Sequence, residues 1–144
     1  MTRMKQSARC ALFGLALSLA VGPATADVVV VVSSASAVTT LSRAQVTDIF
    51  LGNVNRFPNG ARAMPIDQEE GSPARDEFYL RFAGKSQAQV KSHWAKIIFT
   101  GRGEAPKSVS TDVQVRKLIA ANPQAIGYID RGAVDSSVKV LVEP

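Results

Sequence analysis

The chain has 144 residues, a formal net charge of +5 and a single cysteine, Cys10. A chain of this length suits one domain that can bury its own hydrophobic core. Three of its cations, Arg3, Lys5 and Arg9, lie at the extreme N-terminus, so the rest of the chain is only mildly basic. This balance is compatible with anionic ligands and does not indicate nucleic-acid binding.

Residues 1–26 have the pattern of a cleaved secretory signal peptide. The basic start is followed by an apolar run from Cys10 to Gly22 and then by the small residues Ala24-Thr25-Ala26. The alternative, an uncleaved membrane anchor, is disfavoured because a spanning helix needs about 20 apolar residues. The sequence therefore predicts a periplasmic or secreted domain over 27–144. Without Cys10 that domain has no disulfide, thiol nucleophile or thiolate metal site.

In chain order, the first predicted element is a strand over 27–33. Its valines do not alternate with polar residues, which is typical of a strand buried on both faces. A helix capped by Ser42 then runs to Gly52. A short strand over 61–67 follows, and Pro65 should place it at a sheet edge or end it.

The second half of the chain is predicted to be mainly helical before it returns to strands. Its elements are helices over 73–82, 87–99 and 111–122, a loop over 100–110, and strands over 125–130 and 137–143. Because strands and helices are interspersed, the fold class is α/β, with a mixed sheet flanked by helices in a single domain over 27–144.

The residues needed for catalysis or metal binding are sparse. His93 is the only histidine, lies within a predicted helix and has no nearby acidic partner. Asp67, Glu69 and Glu70 could hold a divalent cation, but they lack calcium-loop spacing, and a solvated acidic loop is the favoured interpretation. We therefore expect no enzyme activity, no metal site and no cofactor.

Anion binding is better supported, because helix N-termini present free N–H groups and a partial positive charge. Hydroxyl-rich segments stand at Ser33, Ser34 and Ser36, at Gly71-Ser72, and over 108–111. Arg75 lies in the first turn of its helix, where a cation is unfavourable unless it serves a partner. The alternatives are that Arg75 pairs with neighbouring acids and that each serine is only a helix cap.

Four segments together resemble a known family. They are LSRAQVTDIFLGNVNRFPNGARAMPID, RDEFY, HWAKIIFTGRGEAPKSV and NPQAIGYID, in this order. Over about Val28 to Val142 the chain resembles the phosphate ABC-transporter substrate-binding proteins, which are type 2 periplasmic binding proteins. The resemblance implies one lobe of that two-lobed fold and a phosphate-like ligand.

The resemblance also shows two departures from the family. The family's receptors have two lobes that close on the ligand, whereas this chain resembles one lobe, and a single lobe cannot enclose an anion by domain closure. In addition, the family's Ser-Gly-Thr phosphate loop falls on Ser72-Pro73-Ala74, and its arginine falls on Gln68. A backbone donor, a hydroxyl and an ionic donor are thus replaced, and bonds to charged groups contribute about 1.5–3 kcal/mol each.

The sequence therefore predicts an exported solute-binding-like domain that binds phosphate or a related small oxyanion and is associated with ABC-type transport. The predicted ligand-binding residues are Ser72, Arg75, Gly71, Ser33, Ser34 and Ser36. The alternative is an envelope protein-interaction module that binds a transporter, porin or sensor and retains a vestigial anion site.

Overall fold

The computed structural model describes residues 27–144, so the predicted signal peptide and Cys10 lie outside the described residues. The strands are β1 (Val28–Ser33), β2 (Met64–Gln68), β3 (Lys107–Val109), β4 (Ala125–Asp130) and β5 (Val138–Val142). The helices are α1 (Arg43–Phe50), α2 (Pro73–Phe78), α3 (Gln87–Phe99) and α4 (Asp112–Ala121). A π-helical turn, Tyr79–Ala83, continues α2, and a 3-10 turn, Arg131–Ala133, follows β4.

The five strands form one mixed sheet in the order β3-β2-β4-β1-β5. β2 runs parallel to both β3 and β4, whereas β1 is antiparallel to β4 and β5. The carboxyl ends of β2, β3 and β4 consequently lie on the same side of the sheet, at the ends of the strands and beside the start of β1. The predicted α/β class is confirmed.

Helices cover both faces of the sheet. Val28, Val30 and Val32 pack with residues of α1, α2 and α3, while Val29 and Val31 pack against α4. All five valines are fully buried. The absence of alternation in β1 therefore reflects a central strand with an apolar layer on each side.

The predicted helix starts are confirmed at atomic detail. Ser42 and Ser86 each accept a hydrogen bond from the backbone N–H of the third residue of the following helix. That residue is a glutamine in both helices, and its side-chain oxygen accepts a bond from the backbone N–H of the serine. Ser72 caps α2 by accepting from the backbone N–H of Arg75. These bonds satisfy backbone donors that a helix leaves free at its start.

Two predictions about the sheet were wrong in detail. The predicted loop over 100–110 contains β3, which forms one edge of the sheet, so β2 lies inside it. Pro65 is tolerated there because β3 begins to pair only opposite Ile66. Met64 N–H bonds to Gln124 O on the β4 side, so the nitrogen of Pro65 faces the side where no ladder bond is needed.

The apolar residues of α3 are only partly buried. Val90 and Trp94 lie in the core, but Ile98 is 56% exposed and Phe99 is 92% exposed. Among residues 27–144, none of the helices has the length and apolarity that crossing a membrane requires.

Candidate functional site

Asp67 is the centre of a buried polar network at the carboxyl end of β2. It was predicted to belong to a solvated acidic loop, but only 3% of it is exposed. Tyr79 Oη donates a 2.8 Å hydrogen bond to Asp67 Oδ2, and Tyr128 Oη donates to Asp67 Oδ1. The network therefore joins β2 to the turn after α2 and to β4.

The two tyrosines keep their protons far above neutral pH. Burial raises the pKa of Tyr79 well above its usual range, and the adjacent Asp67 carboxyl raises it further. The same two causes, in the same order, raise the pKa of Tyr128. Ionising either phenol would place a second negative charge beside Asp67 in a buried region, where charge is costly. Both hydroxyls are thus fixed as donors.

Arg75 is a buried cation whose hydrogen-bonding capacity is largely unused. Its side chain is 7% exposed, and Nε lies 3.6 Å from Asp67 Oδ1. Its guanidinium also lies over the ring of Tyr79, with Cζ 5.1 Å from the centroid. Within the described residues, neither Nε nor Nη1 of Arg75 has a hydrogen-bond partner. The alternative that Arg75 pairs with a neighbouring acid is therefore seen only as an ion pair with Asp67, and this pair has no hydrogen bond.

Arg75 lines a cavity of about 310 Å³ between α3 and the end of β2. We call it the Arg75 cavity; its other lining residues are Asp67, Gln68, Glu70, Lys91, Trp94, Ala95, Ile98, Ala105, Pro106 and Ser108. Trp94 Nε1 is a second buried donor without a partner at full hydrogen-bond geometry in the described part of the chain, and it lies near Tyr79, whose pKa it lowers against the larger effects of burial and Asp67. Buried donors without partners cost about 1–3 kcal/mol each, so the cavity is suited to a ligand that carries acceptor oxygens.

Ser72 does not line this cavity and is held by internal hydrogen bonds. Its hydroxyl donates a 2.7 Å bond to Gln68 Oε1. Gln68 Nε2 in turn donates to Asp112 Oδ1 at 2.7 Å and to Tyr128 O at 3.1 Å. Gln68, where the resemblance expects an arginine, therefore uses its whole amide group to join β2, α2, α4 and β4.

An open depression of about 380 Å³ lies over this chain of bonds. We call it the Ser72 dish; it is lined by Gln68, Ser72, Pro73, Ala74, Ser110, Thr111, Asp112 and Asp130. Pro73 has no N–H to offer, and the two aspartates bring negative charge. The phosphate-loop position of the resembled family is thus poor in donors for an anion.

The remaining predicted site residues lie elsewhere. Because β1 is antiparallel to β4, Ser33 at the end of β1 lies at the opposite end of the strands from Gln68. The distance to the end of β2 is about 15 Å by the usual rise per residue. Ser33 and Ser36 accept backbone bonds from Ala35 and Val38, as capping hydroxyls do. Ser34 and Gly71 are exposed and line neither the Arg75 cavity nor the Ser72 dish. One small ligand cannot touch Ser33 and Ser72 together.

The sequence interpretation missed Trp94, Lys91 and Tyr128 as parts of the site. A signal for Tyr128 was present, because a tyrosine inside an apolar strand needs a partner for its hydroxyl. His93 Nε2 lies 2.8 Å from Leu51 O and is half-buried. Among residues 27–144, His, Cys, Asp and Glu form no group of three that is arranged for a metal ion.

No protein-family model matches the sequence, and no curated protein matches it. Solved structures do match. An ABC-type phosphate transport receptor from Vibrio cholerae is 24% identical with a TM-score of 0.63, over 81% of this chain and 45% of its own. A Clostridium perfringens protein, described as a phosphate ABC transporter substrate-binding protein and solved with bound phosphate, is 22% identical with a TM-score of 0.61, over 81% and 44%.

A possible phosphate-binding protein from Planctomyces limnophilus is 16% identical with a TM-score of 0.62, over 83% of this chain and 46% of its own. The chain spans less than half the length of each of these proteins. At these identities the likeness concerns the fold. The chain therefore has the fold of a single lobe of the phosphate ABC-transporter substrate-binding proteins.

Proposed function

We propose that this chain is an exported, one-lobe solute-binding-like domain that binds a small anion through Arg75 and serves an ABC-type transport system. The observation that carries the proposal is the buried guanidinium of Arg75, with Nε and Nη1 unpartnered among the described residues. The fold is shared with proteins named for phosphate transport, which supports an anionic ligand.

The charge around Arg75 is compatible with a bound anion. Asp67 is the nearest carboxyl group, but its two oxygens already accept hydrogen bonds from Tyr79 and Tyr128. At 3.6 Å, Asp67 lowers the cost of burying the guanidinium without occupying its N–H groups. An anion in the cavity would lie beside the guanidinium charge of Arg75, and guanidinium groups favour carboxylate and phosphate partners.

The walls of the cavity would allow a single lobe to surround an anion without domain closure. Receptors of two lobes dehydrate a ligand by closing around it. The Arg75 cavity is instead walled by α3 on one side and by β2 and β3 residues on the other, all within this chain. Anion binding at Arg75 thus requires no second lobe.

The proposal is tested by calorimetric titration and thermal shift of the purified protein with phosphate, sulfate and simple carboxylates. We expect binding of at least one anion, and Arg75→Ala should weaken it at least about tenfold. Arg75→Lys is the matched variant, because it keeps the charge but loses the planar pair of donors. If no anion gives heat or a thermal shift at millimolar concentration, the proposal is wrong.

A second candidate function is an envelope protein-interaction module with a vestigial anion site. The hydrogen bonds from Ser72 to Gln68 and from Gln68 to Asp112 favour it, because they occupy the position where the resemblance expects a ligand. In-cell crosslinking, followed by identification of the crosslinked protein, tests this candidate. A partner transporter, porin or sensor joined at defined residues would support it, and the absence of any crosslinked partner would contradict it.

A further inference from the structure

We infer that the ligand of the Arg75 cavity is a small organic monocarboxylate with an apolar body, and not inorganic phosphate. The inference rests on the proposed function, which it narrows from an anion to one chemical class. The carboxylate would meet Arg75, and the apolar body would lie against Trp94 and Ile98.

Two walls of the cavity are apolar. Trp94, Ala95 and Ile98 come from one side of α3, and Ala105 and Pro106 precede β3 on the facing wall. Inorganic phosphate has polar oxygens on every side, so these walls would remove its water without giving hydrogen bonds in return. A ligand with one acidic end and an apolar body matches the distribution of the lining residues.

The volume of the cavity exceeds what phosphate needs. The cavity holds about 310 Å³, at the lower end of the range of small-molecule sites. An apolar cavity of about 150 Å³ is enough to hold benzene in a protein interior. The Arg75 cavity therefore has room for a ring or a branched chain together with an acid group, and phosphate would leave much of it unfilled.

The charges of the lining residues favour a singly charged ligand. The lining contains two cations, Arg75 and Lys91, and two acids, Asp67 and Glu70. Lys91 Nζ lies 3.5 Å from Glu70 Oε2 and Arg75 lies beside Asp67, so each cation already has an acidic neighbour. Phosphate is partly dianionic at neutral pH, and its second charge would face these acids. A monocarboxylate brings a single charge and suits the available donors.

The test compares three probes by calorimetry and by the fluorescence of Trp94, the only tryptophan in the chain. The probes are benzoate, inorganic phosphate and benzyl alcohol, which keeps the ring and lacks the charge. We expect benzoate to bind at least about tenfold more tightly than either of the others.

A variant that fills the cavity tests the same ligand site if the Arg75 variants do not fold. Ala95 is exposed on α3 and lines the cavity, so Ala95→Phe should occupy the space of the ligand's apolar body without disturbing the core. We expect it to weaken benzoate at least about tenfold. The matched control is Ala88→Phe, at an exposed position of α3 outside the lining, which should leave benzoate affinity unchanged.

The outcomes separate the inference from the function on which it rests. If phosphate binds as tightly as benzoate, anion binding stands and the inference is overturned. Equal binding of benzyl alcohol, or unchanged benzoate affinity in Ala95→Phe, also overturns it. If benzoate does not bind but phosphate or sulfate does, the inference is overturned and anion binding stands. If no anion binds, the proposed function fails, and the inference fails with it.

Discussion

Tyr79 donates its hydroxyl hydrogen to Asp67, joining the turn after α2 to the end of β2 through a 2.8 Å bond. The other oxygen of the same carboxyl group accepts from Tyr128 on β4. One buried acid therefore holds three elements together at the edge of the sheet where the candidate site lies. Arg75, which stacks on Tyr79, is positioned by the same network.

We predict that neither tyrosine ionises in the folded protein in the pH range where tyrosine usually does. Burial and the neighbouring Asp67 raise the pKa of both, whereas the unfolded chain releases these protons near pH 10. Their contribution to stability is therefore full below about pH 10 and is lost as pH rises further. The unfolding free energy should fall by about 1.4 kcal/mol per pH unit for each tyrosine.

Tyrosinate absorbance and circular dichroism, recorded together during alkaline titration, measure this directly. Tyr79 and Tyr128 are the only tyrosines of the chain, so the absorbance reports on this network alone. We expect tyrosinate to appear only as the protein unfolds. Tyr128→Phe should reduce the alkaline slope of stability by about half. A tyrosine that titrates near pH 10 while the circular dichroism stays native would contradict the prediction.

The fold was largely predictable because its strongest patterns are local. The run of valines in β1 indicated a strand with two buried faces, and the hydroxyl of Ser42 indicated the start of α1. β3 was missed because three residues, Lys107–Val109, have no measurable periodicity. Its existence depends on the free edge of β2, which only the tertiary structure supplies.

The site was less predictable, because its contacts join residues far apart in the chain. A serine at a helix start looks the same whether it caps or binds a ligand, and only the bond from Ser72 to Gln68 decides between them. Ser33 was grouped with Ser72 because strand direction and register were unknown. Arg75 was singled out from the sequence because a cation in a first helical turn needs a local reason, and the structure shows that it is buried.

We predict that Ser72 acts as a cap and as a support for Gln68. Ser72→Ala removes the acceptor for Arg75 N–H, and such N-cap losses cost about 0.5–2 kcal/mol of stability. It should not change anion affinity, since Ser72 does not line the Arg75 cavity. Chemical denaturation and calorimetric titration of the same variant measure the two effects.

Ser86→Ala is the matched control for this variant, because Ser86 caps α3 in the same way. Ser72→Ala should lose more stability than Ser86→Ala, because it also removes the donor to Gln68 Oε1, and both variants should retain anion affinity. A tenfold loss of affinity, about 1.4 kcal/mol, in Ser72→Ala alone would instead place the anion in the Ser72 dish.

We predict that Gly127 is required for α4 to pack on the sheet. A Cβ at this position would lie 2.6 Å from Ile119 Cδ1 and 2.8 Å from Val115 Cγ1, and both side chains are fully buried. Gly127→Ala should therefore destabilise the protein by about 1–3 kcal/mol through overpacking. This loss exceeds the roughly 0.5–1 kcal/mol of stability that replacing a strand glycine with alanine can add.

Gly103→Ala is the control for Gly127→Ala, because its Cβ would meet only Ile97 Cγ2, at an ordinary 3.6 Å. Urea denaturation should show Gly103→Ala unchanged or more stable by up to about 1 kcal/mol, since alanine restricts the unfolded chain. Equal midpoints and slopes for Gly127→Ala and the unsubstituted protein would show that α4 can shift to admit a methyl group. The close approach of α4 to β4 would then not be a requirement of the fold.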